Sequence, residues 1–212
     1  MKKCNLITFT VIFLLLLTVN TPAQLFKIGA GGGITQVLGP KSLTNEIATN
    51  SWWDAGFSTE WNTGLVCKVD LPLIPITPRG FIIYHSFSGS KEFQDIEPNL
   101  KIETNQTILE IGLGAQYNFI PAPLGFDPYI ALDISLNTIE DYTAKVNGEK
   151  YTTDGFSRFG GGIGVGTEIS IVPIVNLDLF LSYKMFNLIG KEDGEETISA
   201  ITLDAFIVFN FL

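Results

Sequence analysis

Residues 198–212 read Ile-Ser-Ala-Ile-Thr-Leu-Asp-Ala-Phe-Ile-Val-Phe-Asn-Phe-Leu, and this stretch decides the fold. From Ile201 every second position is apolar, through Leu203, Ala205, Ile207 and Phe209 to Phe211, while Thr202, Asp204 and Asn210 stand between them. A period of two sorts onto two faces only in an extended strand. Phe206 and Val208 are the two exceptions on the polar parity. A strand this rich in aromatics needs a partner along its edge, because an open apolar edge invites aggregation.

The same period recurs upstream. In residues 25–35, Phe26, Ile28, Ala30 and Ile34 alternate with Lys27, Gly29, Gly31 and Thr35. In 60–73, Trp61, Leu65, Cys67 and Val69 alternate with Glu60, Asn62, Lys68 and Asp70. Residues 107–119 set Leu109, Ile111, Leu113, Ala115, Tyr117 and Phe119 against Glu110, Gly112 and Gln116. From Tyr129 to Asn137, Ile130, Leu132, Ile134 and Leu136 oppose Ala131, Asp133 and Ser135. In 158–171, Phe159, Ile163, Val165 and Ile169 oppose Arg158, Gly160, Gly162, Gly164 and Glu168, and in 177–188 Leu177, Leu179, Leu181 and Tyr183 oppose Asp178, Ser182 and Lys184. Residues 81–87 are strand-like, but the pair Ile82-Ile83 leaves their facing open.

With the last strand this makes eight. Prolines mark the short connections, at Pro72, Pro75 and Pro78, at Pro121 and Pro123, and at Pro173, because proline cannot donate to a continuing ladder. Long polar segments fill the alternate connections: 36–54 with Trp52-Trp53, 88–102, 138–157, and the acidic 190–196. Each unit is therefore a hairpin. Short turns at one end and long loops at the other, with an even strand count, make an antiparallel up-and-down barrel the expected all-β fold.

The rest of the chain bounds what such a fold can do. Of 212 residues 17% are charged, below the usual quarter, and 12% are aromatic, so much apolar surface must be placed. Met1-Lys2-Lys3, an apolar run from Leu6 to Val19 and Thr21-Pro22-Ala23 follow the order of a secretory signal, which predicts a cleaved signal peptide at 1–23 and one barrel domain at 24–212. Losing Lys2 and Lys3 takes the formal charge from −9 to −11, which argues against nucleic acid as a partner. Cys67 is then the single cysteine, so no internal disulfide is expected. No mature segment approaches the 18 or more consecutive apolar residues of a membrane helix, so a membrane is entered by strands or not at all.

These features together, with a last strand ending in Phe206, Phe209 and Phe211, resemble the small outer-membrane β-barrels of Gram-negative bacteria, the eight-stranded OmpA and OmpX kind. The resemblance implies residence in the outer membrane, contact with its lipid and lipopolysaccharide, handling by the barrel-assembly machinery, a monomeric state and a non-enzymatic role carried by four exposed loops. It also implies that Phe209, Phe211 and Leu212 form a C-terminal assembly signal, and no peptidoglycan-binding domain is expected. An eight-stranded lumen is filled by side chains. Lys27, Lys68, Arg158 and Lys184 are then expected inside with Glu60, Asp70, Glu110, Asp133, Glu168, Asp178 and Asp204, and Phe206 and Val208 as plugs between them. An aromatic girdle is expected from Trp61, Tyr117, Phe119 and Tyr129.

Two other classes compete. A soluble lipocalin-like barrel shares the alternation but needs a charged exterior, whereas the polar parity here is dominated by Gly, Ser and Asn in several strands. A lipid-modifying enzyme needs a nucleophile beside its base, and the one histidine, His85, cannot pair with Ser86 because neighbours on a strand face opposite ways. The run from Gly160 to Gly166 lacks the Gly-Lys-Ser/Thr of a phosphate loop. Residues 191–196 lack the ligand order of a calcium loop. No catalytic residue, cofactor or metal site is expected.

Overall fold

A computed structural model describes residues 25–40, 59–71, 74–93, 100–119, 125–146 and 149–211. The expected signal peptide, the Trp52-Trp53 pair and Leu212 lie outside them. Ten strands are described: β1 (Leu25–Gly39), β2 (Thr59–Asp70), β3 (Ile76–Phe93), β4 (Leu100–Asn118), β5 (Phe126–Ile139), β6 (Tyr142–Val146), β7 (Glu149–Thr153), β8 (Phe156–Val172), β9 (Val175–Ile189) and β10 (Ser199–Phe211).

Eight of them close a ring in the order β1-β2-β3-β4-β5-β8-β9-β10, every neighbour antiparallel. The C-terminal strand completes it: β10 pairs with β1 from Phe26 opposite Phe211 to Gly39 opposite Ser199. The expected eight-stranded antiparallel barrel is thus the fold. Short connections at 71–75, 119–125 and 173–174 share one end with the start of β1 and the end of β10, and the long connections lie at the other. Gly31 is required at the seam, since a Cβ there would run into the Ala205 carbonyl.

Alternation assigns the two faces. Leu113 and Ile134 stand outward with about 70% of their surface exposed (68% and 72%), whereas Glu110 and Asp133 on the same two strands are buried. In β3 the facing that the sequence left open is settled, with Phe81, Ile83, His85 and Phe87 inside and Ile82 and Tyr84 outside. The parity was blurred because both faces carry apolar residues. Pro78 fits near the start of β3, beyond the last β2 pairing at Arg79, where only β4 flanks it.

The ladders run further than the alternation did. β3 and β4 remain paired out to Phe93 opposite Leu100, and the segment 138–157, expected as a loop, contains the hairpin β6–β7, with β6 laid against Ile102 to Asn105 of β4. Beyond the barrel Thr104 and Ala144 are buried where β6 meets β4 while Lys145, Glu149, Lys150 and Tyr151 are exposed, so backbone pairing persists with only a short apolar period to announce it.

Candidate functional site

The inward residues of the barrel form a stack of layers. Nearest the turn end, Lys27 Nζ lies 2.7 Å from Asp70 and 2.8 Å from Glu168. Lys68 Nζ bridges Glu168 and Asp178, each at 2.7 Å. The Tyr129 hydroxyl donates to the other oxygen of Asp178 at 2.7 Å, and the Lys68 ammonium sits 4.9 Å from the centre of its ring. These partners come from β1, β2, β5, β8 and β9, so the charges join strands that are distant in sequence.

Above this layer Arg79 approaches Asp133 at 3.6 Å and lies over the Phe180 ring at 4.3 Å. Next comes a polar layer in which Glu110 takes the Lys184 ammonium at 2.5 Å and the His85 Nε2 at 3.2 Å. Asp204 accepts from Asn62 and from the Thr202 hydroxyl, with no cation beside it among the described residues. Towards the loops Val37, Phe87, Ile108, Ile139, Phe186 and Ala200 form an apolar cluster inside the barrel, with Phe156 and Ile198 packed on it. A second apolar cluster, Val66, Phe81, Ile83, Phe206 and Val208, fills the wall beside the charges, so the two exceptions in β10 point into the lumen. Buried charges are costly unless paired and hydrogen-bonded; the Lys27, Lys68 and Lys184 sets are both, whereas Arg79 and Asp133 face each other at 3.6 Å and, among the described residues, neither Asp133 oxygen accepts a hydrogen bond.

Of the eleven charged residues expected inside, nine lie within these layers. Glu60 is half-buried at the loop end and accepts from Ser88. Arg158 stands at the loop end and does not join the lumen network: it clamps the loop 190–198 through Glu195 at 2.9 Å and Glu192 at 3.0 Å. Its position as the third residue of β8 places it at the barrel mouth, beside that loop. The acidic run is therefore held down, with Asn187 donating to Glu195 and to the Glu196 carbonyl and accepting from the Ile198 amide. Slight burial works against the Glu195 charge, but the bonds from Asn187, the Glu192 amide and Arg158 outweigh it and hold this carboxyl below its usual range.

Tyr129 corrects the expected girdle. It is 1% exposed and faces the lumen, because Ile130 and Leu132 take the outward parity of β5 and leave Tyr129 with Ala131 and Asp133 inside. Its ring has room because the wall opposite is Gly166, where a side chain would collide with it. Trp61 stands outward near the loop end, 5.9 Å from the Tyr84 ring, and Tyr117 meets Phe119 at 5.7 Å near the turn end. Phe209 and Phe211 face outward at the turn end of β10.

Arg79 and His85 were missing from the expected network. Arg79 was hidden in a proline-marked turn; its signal is that it shares parity with Phe81, Ile83 and His85. His85 connects Thr35, at 3.0 Å from Nδ1, to Glu110, which is the connectivity of a nucleophile, base and carboxylate. All three are fully or almost fully buried, and Glu110 already bonds the Lys184 ammonium, which is not the open geometry a catalytic reading requires. Among the described residues no group of His, Cys, Asp and Glu is placed to hold a metal ion.

No protein-family model and no curated protein matches this chain. Solved structures do. A major outer membrane protein of Thermus thermophilus superposes with a TM-score of 0.55 at 14% identity, covering 89% of this chain and 100% of that one. Neisserial surface protein A gives 0.54 at 17% identity, covering 88% and 97%. The attachment invasion locus protein Ail of Yersinia pestis gives 0.50 at 13%, covering 89% and 99%. At these identities the shared property is the fold, and this chain has the fold of the small eight-stranded outer-membrane β-barrels.

Proposed function

We propose that this protein is an integral outer-membrane barrel with a plugged, non-conducting lumen, and that its activity is carried by the long loops in a structural or surface-binding role rather than by catalysis. One observation carries the reading: the molecule is inside out. Its exterior presents Ile28, Leu65, Ile111, Leu113, Leu132 and Ile134, while Lys27, Lys68, Lys184, Glu110 and Glu168 are buried within. Water would leave that apolar belt unsatisfied, and hydrocarbon would not. Closure of the ring removes the sheet edges that hydrocarbon forbids. A lipocalin-like carrier needs the reverse arrangement, a polar outside and an apolar cavity, and the charged layers occupy the place of that cavity.

The fold shared with outer-membrane proteins supports the location, with lipid and lipopolysaccharide around the belt and assembly through the barrel-insertion machinery. Residues 1–23 act as the secretory signal in this reading. Fractionation tests it directly. The protein is expected in the detergent-extracted outer-membrane fraction and to migrate faster on gels unheated than boiled; an unheated protein that stays soluble without detergent overturns the proposal.

A further inference from the structure

The turn end of the barrel carries a surface that the long-loop end lacks. Residues 71–78, 119–126 and 171–175, which contain the three short connections, hold no charged residue, and six prolines stand among them. The charges that flank them are turned inward: Asp70 pairs with Lys27, Arg79 is buried, and Asp127 accepts from Asn118. What faces outward is apolar and open, with Ile74 51% and Ile174 64% exposed and Phe119, Phe126 and Ile171 exposed beside them. Phe26 and Phe211, paired where β1 meets β10, continue this collar on the remaining side. The connection 190–196 at the other end instead carries Lys191, Glu192, Asp193, Glu195 and Glu196.

We propose that this collar lies in the headgroup boundary of the phospholipid leaflet on the turn side, so that the three turns are membrane contacts and do not stand free in the periplasm. The proposal rests on the membrane-spanning reading, which accounts for the wall of the barrel but not for its turns. From Phe159 to Ile171 the wall of β8 spans about 30 Å along the axis, at ~3.3 Å per residue and a tilt of about 40°. An apolar band of about 25 Å is therefore filled before the turn is reached, which sets Pro173 and Ile174 at its boundary. The backbone suits that setting. The Ile74 amide donates to the Leu71 carbonyl, the Phe119 amide to the Pro128 carbonyl, and the Ile174 carbonyl accepts from the Asn210 amide. Each proline also removes a donor that a poorly hydrated boundary would leave unpaired. The collar's shape selects lipid over a protein. It surrounds a polar mouth in which Asp70 and Asp127 are only partly buried, and a protein covering every side of the collar would cap those carboxylates as well. Lipid covers the apolar rim and leaves the mouth in water.

The test uses the purified, processed chain in phospholipid vesicles, with a fluorophore attached at I74C or I174C in a C67S background. Labels at I134C, on the exposed wall, and at D193C, in the loop 190–198, mark hydrocarbon and water. Iodide is admitted to both sides of the vesicles. The two turn labels are expected to lose most of the iodide quenching seen at D193C and to be quenched by a lipid that bears its nitroxide beside the headgroup. They are expected to respond less than the I134C label to a nitroxide deep in the acyl chain. Heat-modifiable gel mobility confirms that each variant is folded. Iodide quenching at either turn equal to that at D193C overturns the collar and leaves that turn open to a periplasmic protein. Turn labels shielded from iodide and from nitroxide lipid alike also overturn it, and show contact between copies of the chain. Quenching of the I134C label by iodide overturns the membrane reading and the collar with it.

Discussion

At the scale of single residues the lumen is a set of charges that tolerate each other only in company. Lys68 touches Glu168 and Asp178 at 2.7 Å each with no solvent access. Lys68→Met keeps the volume but leaves, among the described residues, Asp178 with the Tyr129 hydroxyl and no cation in contact, and Glu168 with Lys27 as its single cation, and removing one partner of a buried ionic set costs about 3–5 kcal/mol. Urea unfolding in detergent, followed by loss of the fast-migrating gel form, is expected to show that loss. Face decides a different outcome in β10. Ile207→Asp puts an acid against lipid, a penalty somewhat below the roughly 2–4 kcal/mol of a base at the bilayer midplane, and is expected to lower the inserted fraction. From facing alone an acid at Val208 looks milder. The structure packs Val208 with Val66 and Phe206, so Val208→Asp is expected to insert and then to unfold at lower urea. Residue facings were legible in the sequence wherever alternation was clean, as for Lys27, Lys184 and Asp204. They were obscured at Tyr129, where an aromatic suggests a girdle until its own strand's parity is applied, and at Arg79, where three prolines suggest a turn.

At the scale of elements, glycines and loop clamps set what each strand can carry. Gly112 on β4 lies under the Phe81 ring, where any added Cβ would collide, and that ring carries the Lys184 ammonium at 4.9 Å. Gly112→Val is expected to cost about 1–3 kcal/mol by overpacking, measured by the same unfolding assay. The loop 190–198 is held by Arg158 and Asn187. Because the folded Glu195 carboxyl is held below its ordinary value, the clamp contributes fully above an unfolded pKa of about 4.3 and is lost as pH falls through the lower folded one. The protection factor of the Ile198 amide should therefore hold from pH 7 to 5 and fall at lower pH as Glu195 takes up its proton, whereas Glu195→Gln should lower it already at pH 7. An unchanged Ile198 rate in that variant shows the clamp to be idle. The strands of the barrel could be read from period two, but β6–β7 was missed, since Glu149 to Thr153 has no apolar stripe and Tyr142, Ala144 and Val146 alternate with Thr143 and Lys145 over only five residues. The dipeptide Asn147-Gly148 between them, a strong hairpin signal, was the available clue.

At the scale of the whole molecule, the apolar cluster and the charged layers lie in series along the axis, and in the proposed reading they stop a hydrated ion. Purified protein in planar bilayers is expected to show no steady open-pore current; sustained conductance overturns the plugged reading. The layered lumen also constrains how the molecule is made. Lys27 meets Glu168 across 141 positions of sequence and Asn62 meets Asp204 across 142, so these neutralising contacts exist only when the ring is shut. A half-built sheet would hold bare ammonium and carboxylate groups against hydrocarbon. On the membrane reading, insertion and closure are therefore expected to be coupled, and the non-local pairings place the rate among slow β-rich folders, on the order of milliseconds to seconds or longer.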